Sequence, residues 1–525
     1  MQTETSKLRK SMSRLDVFLF LVCTLVGLDT LGSVASKGAQ GLFWLIFLAV
    51  FFFLPYALLT SELGSAFPQE GGPYLWTKYA LGRPVAAVNA IFYWISNPIW
   101  LGGALTITAV TSWNRFFFEL GGVGKYIFGL VFIWSCVFAA VVSFGIGKWI
   151  TIIGAWARVA LLAFFTFSVA LYGVRHGAHG IAIPELAPTY DGFIALVPLL
   201  FFNYVGFELP SAAAGEMVDP QRDVPFAVMR SALSAVLCYG TPIVAMLLVL
   251  PTERITGLTG FIDAMQTVFT VYGGNVETAA DGSRTIVLAG AGRVLGGAAA
   301  LGFIWALATS GTTWIMGADR SQAVACLDGA GPRALGRFSS RFGTPVALNL
   351  ASGVVATVVM LAAFAVAGAS AEKFFVASLN LGISTTTISY LGIFPALYVL
   401  RRRQPDTVRP FRIPGGDRGA FVVSLVTFSW ALLATACLVW PGLGRRGNGD
   451  LSLPAGFVTL DAQGSVLSSQ RLLFELTQLV PLFLLAGLGA LFLMLGRRGT
   501  RATAPDESRQ APMKNAAPAP LTIAC

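Results

Sequence analysis

The sequence predicts an all-α polytopic membrane protein with twelve transmembrane helices, and three observations carry that prediction. Hydrophobic residues make up 55% of the 525 and charged residues only 12%. A soluble domain of this length has no use for so much apolar surface. Twelve apolar runs are long enough to cross a bilayer core, which takes about 20 residues as a helix. Finally, 24 of the 36 Lys and Arg residues belong to the side of the N-terminus and 11 to the other, with Arg158 alone deep within a run.

In order, the segments are Leu15–Ser36, Leu42–Leu63, Pro84–Thr111, Lys125–Phe144, Lys148–Tyr172, Gly192–Gly215, Pro225–Leu250, Thr285–Ile315, Thr344–Ala367, Phe374–Leu400, Ala420–Val439 and Leu472–Leu495. An even number returns the chain to its starting side, and the excess of positive charge there makes both termini cytoplasmic. The expected location is the cell (cytoplasmic) membrane. Residues 1–14 are a basic cytoplasmic segment that leads into a span rather than into a cleavage site. Residues 15–496 form one twelve-helix unit, and 497–525, polar with Ala and Pro, read as a disordered cytoplasmic tail. Between spans, Phe67–Gly82 has a Gly-Gly-Pro turn and then an amphipathic piece suited to the interface. The loop Thr252–Arg284 holds a short helix over Ile262–Val271.

Several function classes drop out. The net charge of +10 follows from topology and does not point to nucleic acid. The six cysteines are scattered, and His176 and His179 sit alone in a loop, so no metal site, cofactor or disulfide frame is expected. No phosphate-cradling glycine loop supplies an ATP motor. No nucleophile–base pair suggests an enzyme.

Two spans are anomalous. Segment 6 runs Phe201-Phe-Asn203-Tyr204-Val-Gly206-Phe207-Glu208-Leu-Pro210, and segment 1 holds Gly27-Leu-Asp29-Thr30-Leu-Gly32-Ser33. A charge at the centre of a bilayer costs several kcal/mol on most scales, and proline removes a backbone donor. Non-helical backbone at that depth survives only where it is covered by protein or lines a cavity. Paired interruptions in two halves of a chain point to a midplane transporter site. Half-helix N-termini suit a carboxylate and exposed carbonyls with nearby acids suit an ammonium, so the geometry favours a zwitterion.

The residues Gly206-Phe207-Glu208, Ser211, Ala214-Gly215-Glu216 and Asp219-Pro220-Gln221-Arg222-Asp223-Val224-Pro225 resemble helix 6 of amino acid permeases in the amino acid–polyamine–organocation superfamily. Ser61-Glu62-Leu63 through Phe67-Pro68 and Gly71-Gly72-Pro73-Tyr74 resemble that family's end of helix 2. Trp314-Ile315-Met316-Gly317, Asp319-Arg320 and Phe411-Arg412-Ile413-Pro414-Gly415-Gly416 are most similar to the bacterial glutamate/GABA antiporter group.

The resemblance implies a leucine-transporter-type fold. Residues 15–172 and 192–400 would be two inverted five-helix repeats, with 420–495 outside them. It also implies a secondary-active amino acid transporter, permease or antiporter, working by alternating access as a monomer or homodimer. Polyamines or other organic amines are the alternative substrates, and a non-transporting nutrient sensor is a third reading. The substrate would lie at Gly27, Asp29, Thr30, Gly32, Ser33, Asn203, Tyr204, Gly206, Phe207 and Glu208, with Asn97 and Ser310 from helices 3 and 8. Where the family has Gly-Ser-Gly-Ile-Phe, this chain has Gly27-Leu28-Asp29-Thr30-Leu31, which crowds a carboxylate cradle and favours an extra amine. Arg158, deep in segment 5, is expected as a fixed charge bridging to Asp29. Glu208 is a substrate contact, a gate, a proton carrier, or a structural acceptor for the amides freed by the break. Tyr204, Phe207, Trp94, Trp100, Trp305 and Trp314 are candidate walls.

Overall fold

The computed structural model describes residues 10–142, 144–177, 180–250, 255, 257–278, 284–366, 371–443, 449–453, 457–461 and 465–503. Helix 1 is split into 1a (Arg14–Leu25) and 1b (Leu31–Ala35). Helix 2 spans Gln40–Ala66, with a π-helical stretch at Ala49–Phe53. A short helix, Gly72–Leu81, leads into helix 3, which runs from Arg83 to Phe116 through a π-helical stretch at Leu101–Leu105. Helices 4 and 5 are Gly124–Val141 and Phe144–His176. Helix 6 is split again, into 6a (Tyr190–Tyr204) and a 3₁₀ segment 6b (Leu209–Glu216). Helix 7 (Pro220–Val249), an outer helix (Gly260–Phe269) and helix 8 (Gly290–Ala330) follow. Helix 9 is Val346–Val366, helix 10 is Ala371–Ile393 continued by Ala396–Arg403, helix 11 is Gly416–Val439, and helix 12 is Arg471–Thr503.

Ten of these, among the described residues, are long and apolar enough to cross a membrane. The other two are helix 1, whose halves are too short alone, and helix 3, which carries Asn89, Ser96 and Asn97 within its run.

The packing has an internal symmetry. Helix 1 packs on helix 7 as helix 6 packs on helix 2, and helix 3 on helix 10 as helix 8 on helix 5. Helices 4 and 9 pack on each other, as do 2 and 7. Exchanging helices 1–5 for 6–10 therefore returns the same neighbours, the signature of a duplicated five-helix unit. Helices 11 and 12 lie against helices 10 and 3.

Three expectations need adjusting. Helix 8 begins at Gly290 because residues 284–288 form a strand, β2, paired antiparallel with β1 at Gly274–Thr278. A second hairpin joins β3 (Val458–Leu460) to β4 (Val466–Ser469) before helix 12. Both hairpins lie in loops at the end opposite the termini and leave the helical class unchanged. Helix 12 also continues to Thr503; residues 504–525, like 1–9, lie outside the described residues.

Candidate substrate site at the two helix breaks

Each break begins at a glycine followed two residues later by an acid. In helix 6 the chain turns at Gly206, whose φ of +128° lies in the region open to glycine. A Cβ there would sit 2.6 Å from Thr24 Cγ2 of helix 1. In helix 1 the chain leaves helical geometry at Val26.

The amides freed by both breaks are claimed by tyrosines. Tyr239 of helix 7 accepts from the Gly27 N–H at 2.8 Å and donates to the Leu25 carbonyl at 2.7 Å, spanning the severed turn. Tyr56 of helix 2 accepts from the Gly206 and Phe207 N–H groups at 3.1 and 3.0 Å and donates to Glu208. Under the repeat symmetry helices 2 and 7 correspond, so each half of the chain closes the other's break.

The two acids differ in what holds them. Glu208 is 0% exposed and accepts from Tyr56, from Tyr93 of helix 3 at 2.7 Å and from Tyr390 of helix 10 at 2.6 Å. Asp29 is 3% exposed and accepts a single hydrogen bond through Oδ2, from Trp100 Nε1 at 2.8 Å. Its Oδ1 is buried without a partner. Asp29 faces a cavity of about 10 Å³ between the breaks, walled also by Gly27, Thr30, Asn203, Trp100 and Trp314. That is room for about one water. Both amide atoms of Asn203 are likewise buried and unpartnered. The Trp100 and Trp314 rings meet edge to face at 6.4 Å. With a carboxylate, an amide oxygen and two indoles, and no basic side chain in its lining, the space suits an ammonium group.

Other expected residues sit elsewhere. Gly32 packs against the outer helix, with Gly260's Cβ position 3.2 Å from its Cα. Ser33 donates to Gly257 O at 3.3 Å and lines a separate outer cavity of about 470 Å³ with Asp191, Phe375 and Asn380. Tyr204 donates to Leu45 O at 2.9 Å and stacks on Phe53, as does Phe207, so both point into helix 2. Asn97 lies one turn from Trp100 on helix 3, both amide atoms buried and unpartnered, outside the cavity as it stands. Of the six aromatic candidates only Trp100 and Trp314 reach the cavity.

Arg158 departs from expectation most. It is 0% exposed and its Nη2 donates to Ala306 O at 2.6 Å, Ser310 Oγ at 2.7 Å and Thr309 Oγ1 at 3.3 Å. It therefore ties helix 5 to helix 8, not to Asp29, and Ser310 serves Arg158 rather than the cavity. Its Nε and Nη1 have no partner.

Ion pairs hold the end that bears the termini, while the other end keeps the outer cavity beside helix 1b. At the terminus-bearing end Arg401 grips Glu62 at 2.6 and 2.5 Å, and the Ile413 N–H adds 2.8 Å. Arg320 holds Glu70 and Glu216, each at 2.6 Å. Burial pushes the Glu70 carboxyl above its ordinary range and Arg320 opposes that rise. At the other end the outer helix lies across helix 1b, with Arg115 3.9 Å from Asp263.

The residues that reading the sequence missed are tyrosines 56, 93, 239 and 390. Their one advance signal is a phenol deep inside an apolar run, where the hydroxyl must find a partner.

Comparison with known proteins identifies the family and the fold. The amino acid permease family matches residues 12–455. A probable agmatine/putrescine antiporter of Lactococcus lactis is 25% identical over 417 residues, 78% of this chain and 84% of its own. A polyamine transporter of Oryza sativa subsp. japonica is 26% identical over 79% of this chain and 72% of its own. In fold alone, the manganese transporter of Eremococcus coleocola, solved with an aromatic bis-isothiourea substituted compound, aligns with a TM-score of 0.54 at 11% identity. That alignment covers 92% of this chain and 94% of the other. The chain is a multi-pass membrane transporter of leucine-transporter-type fold, and it belongs to the amino acid permease family.

Proposed function

We propose that this permease is a secondary-active exchanger of small organic amines, with the substrate's ammonium seated on Asp29 between the two helix breaks. The observation that carries the reading is the unpartnered Asp29 Oδ1 facing a cavity that holds no basic side chain. An α-amino acid would bring its own carboxylate toward Asp29, and the amides of Gly27, Gly206 and Phe207 that could receive it are already taken by tyrosine hydroxyls. Two like charges within a few ångströms in a low-dielectric site repel strongly. A diamine or guanidino-amine meets neither obstacle, and the relatives named for agmatine, putrescine and polyamines fit that chemistry. Amino acid transport is the second reading, favoured by the family match.

The 10 Å³ cavity between the breaks is too small for a diamine, so binding requires helices 1 and 6 to move apart from helices 3 and 8. The Lys and Arg bias of the loops supports a cytoplasmic position for the termini and the Glu62–Arg401 pair. Glu208, beneath the cavity on that side, is the group through which proton coupling would run. No group of three or more His, Cys, Asp or Glu side chains that could hold a metal occurs among the described residues, and neither catalysis nor a metal enters this reading.

The test is counterflow in proteoliposomes preloaded with putrescine, agmatine, arginine, glutamate or GABA. Labelled putrescine should accumulate against unlabelled putrescine or agmatine and not against glutamate. Counterflow confined to amino acids would overturn the amine reading. Binding without counterflow would favour a sensor.

A further inference from the structure

A second buried acid lies outside the substrate site, where helices 8 and 9 meet helix 3. Asp319 is 0% exposed. Its Oδ1 accepts from Ser352 Oγ at 2.9 Å, and that oxygen accepts in turn from Trp94 Nε1 at 2.8 Å. Its Oδ2 is buried with no partner. No Lys, Arg or His pairs with Asp319 among the described residues, and the neighbouring Arg320 turns its guanidinium to Glu70 and Glu216. Asp319 is thus a buried acid with no countercharge, an arrangement that costs several kcal/mol if the group is ionised and nothing neutralises it.

Two further oxygens share its predicament. Gln322 Oε1 and Asn349 Oδ1 are buried without partners. Gln322 stands three residues after Asp319 on helix 8, and Asn349 three residues before Ser352 on helix 9. The two helices are antiparallel and Asp319 already meets Ser352. A three-residue step forward on one and backward on the other therefore moves the same way in space, by about 4.5 Å. This step places Gln322 and Asn349 at matching positions about one turn from the Asp319–Ser352 pair. The Gln322 side-chain nitrogen donates to Cys326 Sγ at 3.7 Å, which leaves its oxygen as the free end. Around this seam Ile91, Ile95, Ala323 and Leu348 form an apolar wall. Asp319 Oδ2, Gln322 Oε1 and Asn349 Oδ1 are three buried acceptors that no donor reaches, a deficit that the hydrogen bonds of the seam do not make good.

We propose that the helix 8–helix 9 seam is a binding site for a small monovalent cation, held by Asp319 with the side-chain oxygens of Gln322, Asn349 and Ser352. Carboxylate, amide and hydroxyl oxygens are hard ligands and suit an alkali ion rather than a soft metal. One carboxylate balances one positive charge, and a divalent ion would leave the apolar wall facing a net charge. The site lies more than a turn beyond Trp314 along helix 8, so it stands independently of the amine site. It adjoins Arg320, so a bound cation holds the helix that shuts the cytoplasmic end.

The experiment uses the full-length protein purified in detergent, melted at one pH and one ionic strength in sodium, potassium or choline chloride. Retention of radiolabelled sodium is measured alongside. Sodium should raise the melting temperature over choline by about 3 °C, with one sodium retained per chain. Asp319→Asn should lose both effects, while Asp29→Asn should keep them. If Asp319→Asn does not fold, Asn349→Leu, which removes one ligand and adds apolar bulk to an apolar wall, should fold and lose them. Equal melting in sodium and choline without retention overturns the proposal, as does an undiminished shift in a folded Asp319→Asn or Asn349→Leu. A stabilisation that follows pH alike in every salt also overturns it, because the occupant would then be a proton. None of these outcomes depends on which solute is transported.

Discussion

The breaks of helices 1 and 6 are built alike and equipped differently. Each opens at a glycine, each carries an acid two residues on, and each is closed by a tyrosine hydroxyl from the other half of the chain. Yet Glu208 takes three phenol donors, whereas Asp29 takes one indole and leaves an oxygen bare. A buried carboxylate whose oxygens are already satisfied has little left to offer an incoming ligand. One with spare accepting capacity beside a cavity is ready for a partner that arrives from outside. Duplication supplied the same device twice, and the shell around each acid decides what the device does.

That contrast can be broken by substitution. The largest effect is expected at Asp29→Asn, which removes the charge and keeps the shape: amine counterflow should fall roughly 10–100-fold while the melting temperature stays within a few degrees. A larger loss of stability than of transport would make Asp29 the structural acid of the pair. Next, Gly206→Ala should destabilise the fold by about 1–3 kcal/mol, because it places a side chain at positive φ and against Thr24. Gly27→Ala should cost less. Its Cβ would meet the Asp29 carboxylate at 3.1 Å, a side chain that can shift. Denaturant titration of both variants orders the two, and the reverse order would contradict the backbone geometry.

The tyrosines sharpen the same comparison. Tyr56→Phe strips Glu208 of one donor and two break amides of their acceptor, so it should cost about 2–3 kcal/mol. Tyr239→Phe frees one amide and one carbonyl and should cost about 1–2 kcal/mol. Equal costs would mean that Glu208 gains nothing from its third phenol. The smallest effect lies far from both breaks. The Arg471 hydrogen bond holds the carboxyl of Asp450 below its ordinary range. An acid whose pKa is depressed on folding contributes stability above its unfolded value, and that stability is lost as pH falls through the folded one. Acidification should therefore loosen the loop before helix 12 in the wild type but leave an Asp450→Asn variant unchanged, as read by hydrogen exchange.

The breaks were legible in the sequence because the lipid makes them expensive: no ordinary span tolerates Gly206, Glu208 and Pro210 together, or an aspartate two residues after Gly27. The tyrosines were not legible. A phenol ring belongs in an apolar run, and its hydroxyl's partner lies 150 residues away for Tyr56 and 212 for Tyr239. Arg158 was visible as an anomaly but its partner was not. Any acid at similar depth was a candidate, and the helix 8 carbonyl and hydroxyls that receive it leave no mark in composition. The early end assigned to helix 8 has a related cause. Ser310 to Arg320 is polar enough to end an apolar count, and only the packing of helices 3, 5 and 9 around it keeps that stretch helical at depth.

Because Tyr239 ties the end of helix 1a and the Gly27 amide just beyond it to helix 7, and Tyr56 ties the Gly206 and Phe207 amides and Glu208 to helix 2, neither break is free to flex on its own. Helices 1, 2, 6 and 7 are thereby tied in pairs across the two halves of the chain, and a solute that pries open either gap pulls on residues encoded in both. Two separately made halves could therefore regain transport only by docking first, since each arrives with its own wound undressed.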